Sequence, residues 1–475
     1  MAGVVSYGAY IPYHRISREE FQRAWGGFAM PGEKAVANFD EDSITMAVEA
    51  AKDCLIGMDS VKIDALFLAS TTLPYKEKLG SAIVSAALNL PANVRTVDFA
   101  GSLRVGTSAL GCALDAINAG AARRVLVVAA DTRIGAPAGQ FEQALGDGAA
   151  ALLLGDDDLI AEIQDSYFIS DEFSGVWRAD GDEFLRSWED RMILDEGYSR
   201  VLPIAISELM QRCSLEPKDF AKVVYDAPVD VRRHARIANG LGFDPSQVQD
   251  TMFMTVGNTG SALATMMLVA ALEEASPRDR ILLTSYGNGA DAFAMEVTDD
   301  INKLGERRGI KKHLESKRMV KNYETYLRWR DLLTLEPARR PERPPMSISE
   351  LWREREQLLA LCGQICTSCG TPQYEVRPGR VCVVCQAKDH FEPYCFADKK
   401  AGIFTFTQDR LQTSNDPPNT AVVVDFDGGG RGMFDLTDRD PEEVEVAMTV
   451  EMTFRKLYFN RGVHNYYWKA RPVRC

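Results

Sequence analysis

The chain reads as an α/β domain built from two similar halves, followed by a small metal-stapled module and a C-terminal all-β barrel. Three observations carry that expectation. Residues 1 to about 298 alternate short apolar strands with amphipathic stretches, the pattern of an α/β domain. Within them a helix, strand, turn and strand occur twice, about 150 residues apart, as in a duplicated fold. Beyond residue 350 come two Cys-x2-Cys pairs, and after them strand signals broken by Pro, Gly, Asn and Asp clusters, the spacing of a small barrel.

The first copy of the repeat opens at Gly106 with a small-residue helix that runs to Gly120. It continues through the strand Arg-Arg-Val-Leu-Val-Val-Ala-Ala-Asp, from Arg123, and the apolar strand Ala149 to Leu154. The second starts at Gly257, with a helix from Ser261 to Ala275, a strand Arg-Ile-Leu-Leu-Thr-Ser-Tyr, a glycine-rich turn and a strand Ala290 to Val297. Two halves of this kind pack together, and a site at their junction is the natural expectation. The segment 299–350 is rich in Lys and Arg and ends in Pro-Ala-Arg-Arg-Pro-Glu-Arg-Pro-Pro. It reads as a linker containing a helix, whose basic residues either form a solvated charged face or meet a phosphate-bearing ligand.

Residues 351–396 begin with a short amphipathic helix, Leu351 to Leu361, and then carry Cys366, Cys369, Cys382 and Cys385. Two knuckles separated by twelve residues have the spacing of a zinc ribbon, and four thiolates close a tetrahedral shell with no open position for chemistry. The zinc is therefore expected to be structural. Residues 397–475 hold the strand signals Gly402 to Thr407, Ala421 to Phe426, Gly432 to Leu436 and Met452 to Phe459.

Composition excludes several function classes. At 475 residues with 46% hydrophobic and 26% charged, the chain is an ordinary globular protein long enough for two or three cores. No apolar run reaches the roughly 18 residues of a membrane span, and the N-terminus lacks the pattern of a secretion signal. A cytoplasmic protein with no membrane partner is expected. The other six of the ten cysteines, Cys54, Cys112, Cys213 and Cys475 among them, are scattered as reduced thiols are rather than as a disulfide framework. A net charge of -14 argues against nucleic-acid binding.

Particular stretches resemble known families. The ribbon, Gly402-Ile-Phe-Thr-Phe-Thr, Val422-Val-Val-Asp-Phe-Asp-Gly-Gly-Gly-Arg and Tyr466-Tyr-Trp-Lys-Ala-Arg-Pro-Val resemble the DUF35 family, a rubredoxin-like zinc ribbon followed by an OB-fold. That resemblance covers about residues 351–475 and implies an association with thiolase-superfamily enzymes that handle acyl-CoA. Over residues 3–298, four stretches carry a second resemblance. They are Asp42-Ser-Ile-Thr-Met-Ala-Val-Glu-Ala-Ala, Ala130-Asp-Thr-Arg-Ile-Gly-Ala-Pro, Gly257-Asn-Thr-Gly-Ser and Ser285-Tyr-Gly-Asn-Gly-Ala-Asp-Ala-Phe, joined by the Gly197-Tyr198 region. These are similar to the archaeal-type hydroxymethylglutaryl-CoA synthase branch of the thiolase superfamily. The fold implied is the five-layered thiolase fold of duplicated βαβαβ halves. A coenzyme A thioester is the implied substrate, with a homodimer, and with a separate thiolase subunit as a further partner.

The catalytic set of that branch does not carry over. A Claisen-type synthase uses a cysteine to hold the acyl group, a histidine to settle the thioester oxygen and a glutamate to move the proton. Ungapped spacing places Leu103 at the cysteine position, with Ser102 beside it. Asp226 in Tyr-Asp-Ala-Pro stands at the histidine, and Thr71 in Ser-Thr-Thr at the glutamate. Cys112 falls inside the following helix, where a buried structural thiol is expected. Asn258 alone matches a catalytic-site position, and Gly257, Ser261 and Thr71 are expected to contact substrate.

Two readings stay open. In one, the protein makes or breaks a carbon-carbon bond without a covalent intermediate, as an aldolase acting on a β-hydroxyacyl-CoA does. Asp226 or Tyr286 then serves as base and Asn258 orients the carbonyl. A carboxylate in an apolar cleft has a raised pKa, whereas an ion pair of Asp226 with Arg232 or Arg233 is the plain structural alternative. In the other, the domain is a scaffold that holds an active thiolase. The loop Phe173 to Ile193, with Trp177 and Trp188, either lines a wide cavity or packs as a lid.

Overall fold

A computed structural model describes residues 2–173, 175–227, 231–336, 346–374 and 379–474. The Pro- and Arg-rich run at 337–345 and Cys475 lie outside the described residues. The chain divides into two compact units, one of residues 1–37, 42–85 and 90–323, the other of residues 38–41, 86–89 and 324–475.

The first unit is the duplicated fold. In one half, Ala65–Ala69 runs parallel to Arg124–Asp131, which pairs antiparallel with Gly148–Gly155, which pairs antiparallel with Gly3–Tyr10. The other half repeats this order. There Lys222–Tyr225 is parallel to Arg280–Tyr286, which pairs antiparallel with Gly289–Val297, and that strand pairs antiparallel with Ala161–Ser170. The halves join through Gly3↔Glu162 and Val4↔Ala161, giving one nine-stranded sheet with Arg95–Phe99 at one edge.

Helix placement follows from residue pattern. Leu263–Glu274 is apolar on nearly every side and buried from Leu263 to Val269, as a helix covered on both faces must be. With Val105–Asn118 it touches strands of both halves, whereas Ser43–Cys54 packs on the first half and Ser199–Cys213 on the second. The layers therefore run helix, first half of the sheet, helix, second half of the sheet, helix. Gly106 lets the central layer close, because a Cβ there would lie 2.8 Å from the Ser261 carbonyl oxygen. Ser43–Cys54 starts cleanly, since the Asp42 side chain accepts from the Thr45 N–H at 2.9 Å and Thr45 Oγ1 accepts from the Asp42 N–H at 2.8 Å, a reciprocal cap.

Residues 299–323 belong to this unit rather than to a linker. Arg318–Met319 pairs parallel to His14–Ser17, and Lys311–Glu315 forms a short helix. The basic residues are largely spoken for: Arg307 is buried and donates to Ser6 Oγ at 2.9 Å and to the Ile56 carbonyl at 3.0 Å, while Lys312 and Lys317 pair with Glu306 and Glu33. Neither a solvated face nor a phosphate contact describes Arg307.

In the second unit, helices Ile348–Arg353 and Arg355–Ala360 precede a three-stranded sheet of Cys362–Cys366, Pro372–Gln373 and Phe391–Cys395. Five strands then form the barrel: Lys400–Asp409, Asn419–Phe426, Arg431–Asp435, Thr449–Asn460 and Val463–Pro472. Their order is third, second, first, fourth, fifth, and a parallel bridge Leu436↔Ala470 closes the ring, the connectivity of an OB-fold. This unit also buries a charge cluster, between the barrel strands and residues 38–41. Arg455, fully buried, pairs with Asp40 at 3.1 Å, Glu41 at 2.9 Å and Asp438 at 2.5 Å, and Lys469 pairs with Asp40 at 2.9 Å.

Candidate acyl-thioester site and cysteine cluster

The first unit contains a cavity of about 1120 Å³. Thr71, Ser102, Leu103, Arg133, Trp177, Asp226, Asn258 and Tyr286 are on its wall. The described residues of that wall include no cysteine and no histidine. Four of the sequence-derived site residues plus Thr71 thus converge, from the ends of strands in both halves and from the start of a central helix.

Asp226 follows the strand Lys222–Tyr225. Its Oδ2 accepts from Ser285 Oγ at 2.7 Å and from the Tyr286 N–H at 2.6 Å. Its Oδ1 is buried without a hydrogen-bond partner. Burial pushes the carboxyl up to about 7, against the opposing pull of the Ser285 and Tyr286 hydrogen bonds. Among the described residues no arginine pairs with Asp226, and Arg233 is turned to Asp195. A carboxyl with one oxygen anchored, the other unpartnered and a pKa near neutrality has the properties of a general base.

Tyr286 is less suited to that task. Burial first, then Asp171, push its phenol up to about 12, so at neutral pH the hydroxyl is a donor. Gly197 makes room for it, since a Cβ there would sit 2.3 Å from the hydroxyl oxygen.

Asn258 is tied to protein at both ends. Nδ2 donates to the Ala227 carbonyl at 3.0 Å, and Oδ1 accepts from the Gly260 N–H at 3.0 Å and from Arg133 Nη1 at 3.4 Å. Arg133, which sequence reasoning missed, is 5% exposed. Among the described residues no carboxylate lies within ion-pair distance of it. Burial pushes its guanidinium down to about 10, which leaves it cationic at neutral pH. A buried cation on a cavity wall without a paired anion is costly unless the ligand supplies negative charge. Its position within Ala-Asp-Thr-Arg was the available signal.

Thr71 is held by Asp131, its N–H donating to Oδ1 at 2.7 Å and its hydroxyl to Oδ2 at 2.9 Å. Asp131 also accepts from Ser70 Oγ at 2.9 Å, Thr72 Oγ1 at 3.0 Å and the Ser261 N–H at 2.8 Å. Gly257 and Ser261, expected at the substrate, are behind the wall instead: Ser261 is 2% exposed with its N–H spent on Asp131, and the Gly257 N–H bonds the Met252 carbonyl. Ser102 Oγ donates to the Gly287 carbonyl at 2.8 Å, which fixes the glycine-rich turn against the helix start. Cys112 is exposed, not buried as expected, because it shares a helix face with exposed Asp115. Trp177 is on the wall, with its backbone paired to Arg186, while Trp188 is 71% exposed and not part of the wall.

In the second unit, Cys366, Cys369, Cys382 and Cys385 place their sulfur atoms within 4.8 Å of one another. The two knuckles are built alike. The Gly370 N–H bonds the Cys366 carbonyl at 2.7 Å, and the Gln386 N–H bonds the Cys382 carbonyl at 3.0 Å, each turn residue having positive φ (72° and 62°). Four converging sulfurs suit a tetrahedral, thiophilic ion.

Comparisons with known proteins agree with this geometry. The chain is 33% identical over 343 residues to the hydroxymethylglutaryl-CoA synthase of Methanopyrus kandleri, covering 70% of this chain and 97% of that protein. It is 31% identical over 347 residues to the enzyme of the same name from Methanosarcina mazei, covering 70% and 99%. Among solved structures, an HMG-CoA synthase complexed with CoA aligns with a TM-score of 0.61 at 20% identity, over 68% of this chain and 89% of that one. The 3-oxoacyl-[acyl-carrier-protein] synthase III of Aquifex aeolicus aligns at 0.54 and 20%, over 62% and 100%. Residues 396–455 match the family described as the C-terminal OB-fold domain of ChsH2. Among the described residues no helix is long and apolar enough to cross a membrane. The thiolase-like fold, the cavity at the junction of its halves and the near-complete match to its relatives place this chain in the hydroxymethylglutaryl-CoA synthase family.

Proposed function

We propose that the first unit binds an acyl-CoA thioester and cleaves or forms the carbon-carbon bond beside the thioester carbonyl without an acyl-enzyme intermediate, acting as a retro-aldolase on a β-hydroxyacyl-CoA. The observation that carries this reading is the cavity wall itself, which offers Asp226 with an unpartnered Oδ1 but no cysteine or histidine among its described residues. The thioester is supported by the CoA-bound relative of the same fold.

In the cleavage direction, Asp226 Oδ1 takes the proton of the β-hydroxyl. The bond between the α and β carbons breaks, a carbonyl compound forms from the β carbon, and the electron pair moves onto the thioester as an enolate. Arg133 supplies the positive charge facing that oxygen, and Asn258 holds the guanidinium in place. The protonated Asp226, whose pKa near 7 makes it a competent acid, then returns the proton to the α carbon. Tyr286, protonated throughout, donates a hydrogen bond within the cavity.

The cysteine cluster suits zinc, held by Cys366, Cys369, Cys382 and Cys385; the ion would supply fold stability, since four thiolates leave no position for a substrate. A homodimer is the assembly expected of a thiolase-like domain.

A scaffold that presents intermediates to a separate thiolase subunit is the second reading, favoured by the same missing cysteine and histidine and by the ChsH2-type barrel domain. Incubation of the purified protein with a panel of β-hydroxyacyl-CoA thioesters, with separation of the products, tests the choice. Release of a shorter acyl-CoA and a carbonyl compound supports the aldolase; binding without release supports the scaffold.

A further inference from the structure

Two cysteines outside the four-sulfur cluster meet across the ribbon. Cys362 and Cys395 are direct partners on antiparallel strands, and their sulfurs are 2.6 Å apart, closer than two thiols approach without bonding. Both are partly exposed, so a soluble reagent can reach them. Asn89 Nδ2 lies 3.2 Å from the Cys395 sulfur and can donate to it, which favours the thiolate that exchange chemistry needs.

Their place in the chain gives the pair a purpose. Cys362 opens the first ribbon strand and Cys395 ends the last one, so the loop they would close contains all four residues of the cluster. Just outside it, the Phe396 N–H donates to the Leu361 carbonyl at 3.1 Å, extending the pairing of the same two strands by one bond. Without a metal, the ribbon between those ends has little core of its own; a covalent bond at its base would keep the strands paired.

We propose that Cys362 and Cys395 are a reversible dithiol–disulfide site, oxidised by a low-molecular-weight disulfide such as oxidised glutathione, that keeps the ribbon closed when its metal is lost. One thiolate attacks the glutathione disulfide, releasing one glutathione and leaving a mixed disulfide. The second thiolate attacks the protein sulfur of that bond and releases the other glutathione. Two protein thiols and one oxidised glutathione become one protein disulfide and two reduced glutathiones, so two electrons and two protons leave the protein.

The test uses the full-length, zinc-loaded protein equilibrated with oxidised and reduced glutathione, trapped by alkylation and mapped by peptide mass. Oxidation should remove Cys362 and Cys395 from the alkylated set and join their peptides, with a loss of about 2 Da that dithiothreitol reverses. Cys362→Ser should instead leave a glutathione adduct on Cys395. Exposed Cys112 reports that the reagent is active. Full alkylation of both cysteines at every glutathione ratio, with Cys112 modified, would overturn the proposal. So would bonds from either one to the four cluster cysteines. Proteolysis after chelation tests the consequence: the oxidised form should resist cleavage between residues 362 and 395, and equal cleavage of both forms would reject the stapling role.

Discussion

Replacing Asp226 by Asn changes the charge of the proposed base with little change in shape. The asparagine Oδ1 can still accept from Ser285 Oγ and the Tyr286 N–H, now 2.7 and 2.6 Å from the carboxylate, so the turn should survive. What is lost is the proton acceptor, a change worth roughly 100- to 10,000-fold in rate for a general base. With the carboxyl pushed up to about 7, roughly a tenth is ionised at pH 6 and roughly nine-tenths at pH 8. Wild-type kcat/KM for β-hydroxyacyl-CoA cleavage should therefore rise about tenfold between those values. Stability moves the opposite way. A carboxyl raised in the folded state favours folding below its unfolded pKa, and that contribution disappears as pH rises through about 7. From 3.8 to about 7, the loss is at most about 4 kcal/mol, an upper value because the cavity admits water. Asp226→Asn should thus be inactive yet no less stable than wild type at pH 8 in urea denaturation. A variant that keeps the rising limb, or turns over like wild type, refutes the base assignment; Leu103→Ala, at the position where the family's nucleophile would be, should stay active.

Other perturbations test other parts. Arg133→Met should lower kcat for cleavage by about 100-fold or more while KM for the thioester changes little, if the cation acts on charge that develops during reaction. Gly260→Ala places a Cβ 2.4 Å from Asp131 Oδ2 and 2.6 Å from Arg133 Cδ, at a backbone φ of +62°, and should reduce both activity and melting temperature. Arg455→Ala leaves Asp40, Glu41 and Asp438 buried without their cation and should destabilise the second unit by about 3–5 kcal/mol, read by denaturant midpoint. Cys366→Ser should lose zinc by elemental analysis and loosen the ribbon without directly stopping cleavage; full zinc retention and full stability would remove that cysteine from the site.

Much of the architecture was legible because each signal was local. The repeat was visible in two small-residue helices followed by strands, and the ribbon in the spacing of Cys366, Cys369, Cys382 and Cys385. Asp226 was found by alignment to a lost histidine, but its freedom from arginine was not, since Arg233 reaches Asp195 through a fold-level contact. Residues 299–323 looked like a linker because Arg307 and Lys312 are charged, and sequence alone does not reveal that the Ser6 hydroxyl and the Ile56 carbonyl receive Arg307. Arg133 was hidden for a related reason: its neighbours in space, Asn258 and Gly260, lie far along the chain. Gly257 and Ser261 carried the family's pattern, yet one residue of register decides which side chain meets the cavity and which supports it from behind.

The most direct test of non-covalent carbon-carbon chemistry is intact-protein mass spectrometry during turnover of a β-hydroxyacyl-CoA, with the small-molecule products measured in the same reaction. Cleavage products accumulating with the protein mass unchanged is the expected result. A protein mass raised by the acyl group would contradict it and show that a nucleophile holds the substrate after all.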